Sequence, residues 1–535
     1  MPLNPLVRAA ILQDPYFQQL EDQVTGDALT TMLPGPLQKG ADLRAVLREV
    51  AAAGLAGTSH RKWQEIQQKH CNGDPAANFL IPVVSFAFMN VRRPRISGLV
   101  VLADPHDCVR IARSHVKKMP DQANLLGFGV LSTTNNEDWQ AQRQHLNEAF
   151  LPRQSLHSVC PVTVKRAQDC IGTLEKLASE GEGVVQINEF LLNEAMAHLL
   201  LGLFGAPADF VEETNAKIRH AFSTSLELTG GFSGCADGHA ISPEQARETA
   251  EYVFSWADKV MSFAEDKKGP GDGPIDGPLA ARIREVVKTT KRKVPEAVQR
   301  FNAVTFAFAG HDTTAHTMTW LLYELCRRPH YQQRLQAEVD KMFKELDKPM
   351  CYDDMDKLPF LSRCITETLR LWPAVPNGTF RQLEHDDHVR GAGGKQVMLP
   401  KGTFVQIANW LRHRNPKLWG ADVGEFNPER EWAPEEIWHG CPFSAKNPAS
   451  ESGRFSPFTF PPRDCIGRNF AQMEMRVVLS HLLHNYSFTL AEPTAGADAS
   501  QFQGINRGTM GPEDLRGGGN PKAPALGMHL KVQRR

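Results

Sequence analysis

No window of the 535 residues holds the ~20 consecutive apolar side chains that a membrane-spanning helix needs. The most apolar run, from Phe79 to Met89, is short and interrupted by Pro82, and reads as a buried strand. A signal-peptide layout is also missing. The patch from Leu6 to Leu12 is small, and Asp14, Glu21, Asp22 and Asp27 argue against an organelle transit peptide. Residues 1–33 are therefore expected to form an N-terminal arm without a transmembrane anchor, on a protein that is cytoplasmic or peripheral to a membrane. Excess charge is absent: 60 Lys and Arg face 61 Asp and Glu, a net charge of −1, so no global field draws in nucleic acid or an anionic surface. The 10 cysteines contain no CxxC pair and no dense framework, which excludes a zinc ribbon and a disulfide scaffold and leaves room for one cysteine with a special task. There is no GxGxxG fingerprint, so electrons for any redox chemistry must arrive from outside the chain. No internal repeat is visible.

What is present centres on the run Phe455-Ser-Pro-Phe-Thr-Phe-Pro-Pro-Arg-Asp-Cys465-Ile-Gly-Arg-Asn-Phe-Ala471. Prolines stiffen the approach, and Gly467 opens a helical pattern reaching about Tyr486. A cysteine just ahead of a helix meets unpaired N–H groups and the positive dipole end, which favours thiolate. Arg463 and Arg468 add positive charge on either side. A thiolate held by backbone donors suits an iron ligand, because hydrogen bonds to sulfur tune the metal. Taken alone, a lone cysteine before a helix is more often structural.

A second long pattern begins near Pro295 and stops at Pro329 with no proline between. At ~1.5 Å per residue such a helix spans about 50 Å, enough to cross a whole domain. Its stretch Ala303–Ala309 is apolar or small nearly all round, so the helix is expected to be buried. Gly310, Asp312, Thr313 and Thr314 inside it break local rules, as functional sites do. Their hydroxyl and carboxyl groups compete for the helix backbone and can open a local groove.

Two further pairs stand at helical spacing. Trp139 and Arg143 share one face and together suit a carboxylate or phosphate. Glu367 and Arg370, flanked by Phe360, Leu361, Ile365 and Leu369, are expected to be a buried ion pair needing a third partner, for which Arg430 is the candidate. Around these, Asp104-Pro105 starts a helix reaching Ser114, Leu156–Phe204 reads as helical, and helices recur at Tyr331–Leu346 and Leu358–Leu371. Ala374–Ile407 reads as β-rich, Thr229–Ala240 as a loop, Ser242–Gln245 as a capping box and Lys268–Pro278 as a linker. The acidic, histidine-containing run Glu384–His388 is read as a solvated loop, not a metal site.

The Phe458, Arg463, Cys465 and Gly467 pattern resembles the heme-ligand signature of the cytochrome P-450 family, with Pro461 where that family has glycine. Trp139/Arg143, Ala-Gly-His-Asp-Thr-Thr (309–314) and Glu367/Arg370 resemble three further motifs of the same family, in the same order. The resemblance covers about residues 34–535. It implies a mainly α fold with a smaller β-rich region, one large triangular heme domain. It implies non-covalent heme b with Cys465 as the metal ligand, since Ala309 stands where some relatives attach heme covalently. Trp139, Arg143 and Arg381 would hold its propionates, Phe458, Arg463 and Gly467 would shape the ligand loop, and Ala309 and Gly310 would lie against the ring. Asp312 and Thr313 would be catalytic, relaying protons for oxygen activation, with O2 as co-substrate. Glu367, Arg370 and Arg430 would form a structural triad. The implied function is a monooxygenase acting on an apolar small molecule, by default a fatty acid, sterol or other lipid, with an electron-donor reductase or ferredoxin as partner. Peripheral membrane contact fits this reading; nucleic acid does not. The alternatives are a heme-thiolate isomerase or dehydratase of lipid hydroperoxides and a non-catalytic heme-binding sensor.

Overall fold

A computed structural model describes residues 33–36, 59–84, 96–119, 127–151, 155–229, 243–263, 277–438, 452–496 and 525–535, with 515–516 and a few positions between 42 and 53. All of the expected arm at 1–33 except Leu33, and the loop at 230–240, lie outside the described residues, as do most of the 268–278 linker and Ser242 of the capping box.

In chain order the framework is α1 (Ser59–His70), β1 (Phe79–Val84), β2 (Ile96–Leu102), α2 (Pro105–Ser114), α3 (Asn136–Leu146), α4 (His157–Glu180), β3 (Val184–Gln186), α5 (Ile187–Leu199), α6 (Ala208–Thr229), α7 (Pro243–Phe263), α8 (Pro278–Thr289) and α9 (Pro295–Arg327). Then follow α10 (Pro329–Glu345), α11 (Pro359–Leu371), β4 (Thr379–Gln382), β5 (Asp387–Arg390), β6 (Gln396–Leu399), β7 (Phe404–Ile407), α12 (Arg468–Asn485), β8 (Tyr486–Leu490) and β9 (His529–Arg534). Among the described residues helix dominates, and four small sheets supply the β region. None of the described helices is long and apolar enough to cross a membrane.

Local chemistry sets these boundaries. Asp104 caps α2 by accepting from the N–H groups of His106 and Asp107 at 2.9 and 3.1 Å, with Pro105 at the first turn where a missing N–H costs nothing. Strand β1 tolerates Pro82 because it is the edge of the sheet ordered β1-β2-β7-β4, in which only the β2–β7 pair is parallel. The continuous helix expected over Leu156–Phe204 is interrupted. Gly181 and Gly183 end α4, and Val184–Gln186 instead pairs with β9, His529 opposite Gln186. Two glycines and a β-branched pair outweigh helical periodicity there.

Helix α9 runs unbroken through the main core, and α5 packs against it. Gly310 of α9 sits against Leu199 of α5. A Cβ on that residue would lie 2.9 Å from Leu199 Cδ1, so the glycine serves packing as well as the site. Helix α9 is continuous through this polar stretch. Thr313 and Thr317 donate to the carbonyls of Ala309 and Thr313 at 2.9 and 2.8 Å, so the hydroxyls are satisfied one turn back without breaking the ladder.

Candidate functional site

The loop ahead of α12 is braced before it reaches the cysteine. Buried Arg412 donates to Gly453 O (2.9 Å), Ser456 Oγ (2.8 Å) and Asn409 Oδ1 (2.9 Å). The Cys465 N–H then donates to Phe458 O at 2.9 Å, closing the turn, and the Ala471 N–H meets Gly467 O at the start of the helix. A cis peptide bond joins Pro461 to Pro462. Cys465 is exposed where it lines a cavity, while protein crowds the residue from behind. Burial pushes the thiol up; the Gly467 N–H and Arg468 pull the other way, while Asp464 adds to the rise. The expectation that Arg463 would flank the sulfur needs correction. Its guanidinium lies 4.4 Å over the Trp139 ring and donates to Thr133 O at 3.2 Å, and Arg468 and Arg143 are the cations that favour thiolate.

The same cavity gathers three cations on its wall, Lys118, Arg143 and Arg463; buried Arg381, on β4, is near enough to repel Arg463 and donates to Thr379 Oγ1 and Phe380 O. Lys118 Nζ donates to the same Thr379 hydroxyl at 2.8 Å. Arg463 Nε and Nη1 are buried and meet no hydrogen-bond acceptor among the described residues. Burial, then repulsion from Arg381 and Arg143, brings the Arg463 guanidinium down to about 9. Unsatisfied buried donors beside like charges call for an anion. A carboxylate-bearing group with a metal facing the Cys465 sulfur fits this donor set; the two propionates of heme supply that charge.

Helix α9 provides another wall. Ala309, Gly310, Asp312, Thr313 and Thr317 line the cavity, and Ala309 and Gly310 leave it free of bulk. The Thr313 hydroxyl hydrogen is committed to Ala309 O, so its oxygen faces a guest as an acceptor. Asp312 Oδ1 lies 3.4 Å from His316 Nδ1, one turn on.

Glu367, Arg370 and Arg430 meet away from the cavity. Arg370 makes a two-pronged contact with Glu367 (2.7 and 2.8 Å), and Arg430 Nε adds 3.0 Å to Glu367 Oε1. Glu367 and Arg370 are fully buried, and Arg370 also donates to the carbonyls of His413, Val423 and Glu425. The cluster therefore ties α11 to the segment that leads into the cysteine loop.

Near Glu384–His388 the fold brings in a residue the sequence did not connect: His115 lies close enough to His385 and Asp387 for the three to hold a metal ion. Its ring nitrogens are already committed. Nδ1 accepts from the Glu384 N–H at 3.0 Å, so Nε2 carries the proton and donates to Asp387 Oδ2 at 2.8 Å. A protonated nitrogen is no ligand, and the group acts as a tie between α2 and β5. Lys118 and the Asp464 contact of Arg143 were not foreseen. A lysine just after a helix end normally reads as solvated, and no motif marks it.

Comparison with known proteins agrees with this geometry. The Cytochrome P450 family profile matches residues 63–509. Cytokinin hydroxylase of Arabidopsis thaliana is 36% identical over 384 residues, 69% of this chain and 68% of that protein. Cytochrome P450 4F8 of Homo sapiens is 38% identical over 182 residues, covering 34% of this chain and 32% of its own. CYP13A5 of Caenorhabditis elegans is 34% identical over 190 residues, 35% and 33% of the two chains, so the matches span about a third of the human and nematode proteins. Proteins of this family carry heme b on a cysteine thiolate and use O2. The chain belongs to the cytochrome P450 family.

Proposed function

We propose that the chain is a heme-thiolate monooxygenase that inserts one atom of O2 into an apolar small molecule, with electrons from a separate reductase or ferredoxin, and that residues 34–535 form its heme domain. One observation carries the reading: a single cavity is lined at once by the Cys465 sulfur, by a cluster of buried cations and by Asp312 and Thr313 of α9. Heme, when bound, supplies the reductive activation of oxygen, and an anionic sulfur ligand favours O–O cleavage.

The chain's own residues do the rest. Cys465 offers its sulfur from a loop whose shape is set by the Phe458–Cys465 hydrogen bond. Trp139, Arg143, Arg381, Arg463 and Lys118 would hold the heme carboxylates. Ala309 and Gly310 leave room in the cavity beside α9. Thr313, an acceptor toward the cavity, positions a proton donor there, and Asp312 passes protons in from behind. The guest-facing residues Val130, Leu131, Phe306, Phe308, Ala374 and Val375 are apolar, which fits a lipid-like guest such as a fatty acid or sterol.

The purified full chain, reduced under carbon monoxide, should show the red-shifted band of a thiolate-ligated heme and should consume oxygen with NADPH and a surrogate reductase. A colourless protein overturns the reading. A band without oxygen uptake points instead to a hydroperoxide isomerase or a heme sensor.

A further inference from the structure

Two side-chain amides far apart in sequence meet in the core between α3 and α9. Asn302 is fully buried and Gln142 is 1% exposed. Asn302 Nδ2 donates to Gln142 Oε1 at 2.8 Å and to Val298 O at 3.0 Å, while its Oδ1 accepts the Val130 N–H at 3.0 Å. Gln142 Nε2 donates to Phe128 O at 2.9 Å and to Asp138 Oδ2 at 3.2 Å. Every donor of both amides is used, and flipping either would set donor against donor. The pair has one orientation.

What it holds is the strap 127–133, which forms part of the cavity roof. One end is pinned where Gly127, at φ +48, lies so close to Phe301 that a Cβ would come 2.4 Å from its ring. Phe128 is covered there by the Arg292 guanidinium at 3.9 Å, and Arg292 in turn pairs with Asp138 at 2.8 Å. The other end is fixed by Arg463, which donates to Thr133 O. Between the pins, Val130 and Leu131 line the cavity, and the strap's middle hangs from the single acceptor on Asn302. Asn302, Phe306, Ala309 and Thr313 follow at steps of four, three and four along α9 and so share one face. The residue that suspends the roof thus stands in line with those lining the chamber.

We propose that Asn302 and Gln142 form an amide clamp that sets the height of the cavity roof and makes the chamber select slim apolar guests over bulky ones. Both are positioning residues: they act through Val130 and Leu131 and touch no guest themselves. The inference rests on the reading of the cavity as a heme and substrate chamber.

The test is spectral titration of the heme-bearing full chain with 4-phenylimidazole, a small ligand, and clotrimazole, a bulky one. Asn302→Leu, close to asparagine in shape, should shift the ratio of the two dissociation constants at least tenfold in favour of clotrimazole. It should also speed deuterium exchange at the Val130 amide. Asn302→Asp keeps the acceptor for Val130 but loses the donor to Gln142, and should give a smaller shift in the same direction. The reciprocal swap N302Q/Q142N should return the ratio toward that of the parent. A ratio unchanged within twofold, equal weakening of both ligands, or loss of heme from both single variants would overturn the clamp. Failure of the parent protein to show a heme spectrum would instead remove the chamber reading beneath it.

Discussion

Arg143 grips the residue immediately before Cys465 with two hydrogen bonds, Nη1 to Asp464 O at 2.6 Å and Nη2 to Asp464 Oδ1 at 2.9 Å. Helix α3 is thereby latched to the cysteine loop through a residue that also lines the cavity. One guanidinium serves two ends: it orders the loop that carries the sulfur and adds positive charge where a carboxylate-bearing cofactor would sit.

Removing that grip should therefore affect cofactor retention more than folding. In Arg143→Ala two charge-assisted hydrogen bonds disappear, each contributing about 1.5–3 kcal/mol. Arg143→Lys keeps the charge but loses the fork. Heme content per protein, read from the ratio of Soret to protein absorbance, should fall in the order parent, Lys, Ala. Equal heme in all three would show that the latch is dispensable.

The buried Glu367–Arg370–Arg430 group predicts a different failure. Glu367 accepts from Arg370, from Arg430 and from the Asn427 N–H at 2.8 Å. Glu367→Gln leaves the fully buried Arg370 without its counter-charge and Arg430 with Asp422 alone, a loss of about 3–5 kcal/mol. The variant should unfold at much lower urea concentration than the parent, and Arg370→Lys, which cannot reproduce the forked contact, should do little better. A urea midpoint within experimental scatter of the parent would contradict a structural role for the group.

These features differ in how far the sequence reveals them. Cys465 and the Glu367/Arg370 spacing are local patterns, visible because a loop–helix junction and a three-residue step leave marks in adjacent letters. Helix α9 is legible for the same reason: proline frames it at both ends and is absent between. The second half of each device is not local. Asn302 and Gln142 are 160 positions apart, and nothing in either neighbourhood marks a buried amide. Lys118 looks like any lysine beyond a helix end until the fold turns it toward Thr379. The break between α4 and α5 escapes periodicity because Val184–Gln186 becomes a strand only when β9 arrives from the far end of the chain.

Thr313 separates the chemistry from the scaffold. Its hydroxyl donates within α9 and presents its oxygen to the cavity, so Thr313→Ala removes a cavity acceptor and one helix contact but no bulk from the core. Heme content and the carbonyl band should persist. A positioned proton-transfer group contributes about 10²–10⁴-fold, so product formed per O2 consumed should fall clearly, with peroxide accounting for the difference. Thr313→Ser should restore most of the coupling. Unaltered coupling in Thr313→Ala would remove this residue from the proton path.

Acid should expose the buried histidines. Burial, reinforced by Arg166 and His481, brings the His198 imidazole down to about 3, and neither ring nitrogen has a hydrogen-bond partner among the described residues. Glu474, on the facing helix α12, is pushed well up by burial and by Glu194, and works in the opposite sense. The effect of His198 is therefore best isolated as a difference between proteins. Between its unfolded value of about 6.5 and its folded value, the unfolded chain binds a proton that the folded chain refuses, so the stability linked to His198 is lost as pH falls. His198→Gln cannot take up that proton. Its urea stability relative to the parent should rise by about 1.4 kcal/mol for each pH unit descended between pH 6 and 4. Parallel stability curves across that interval would mean that His198 is protonated, and therefore hydrated, in the folded protein.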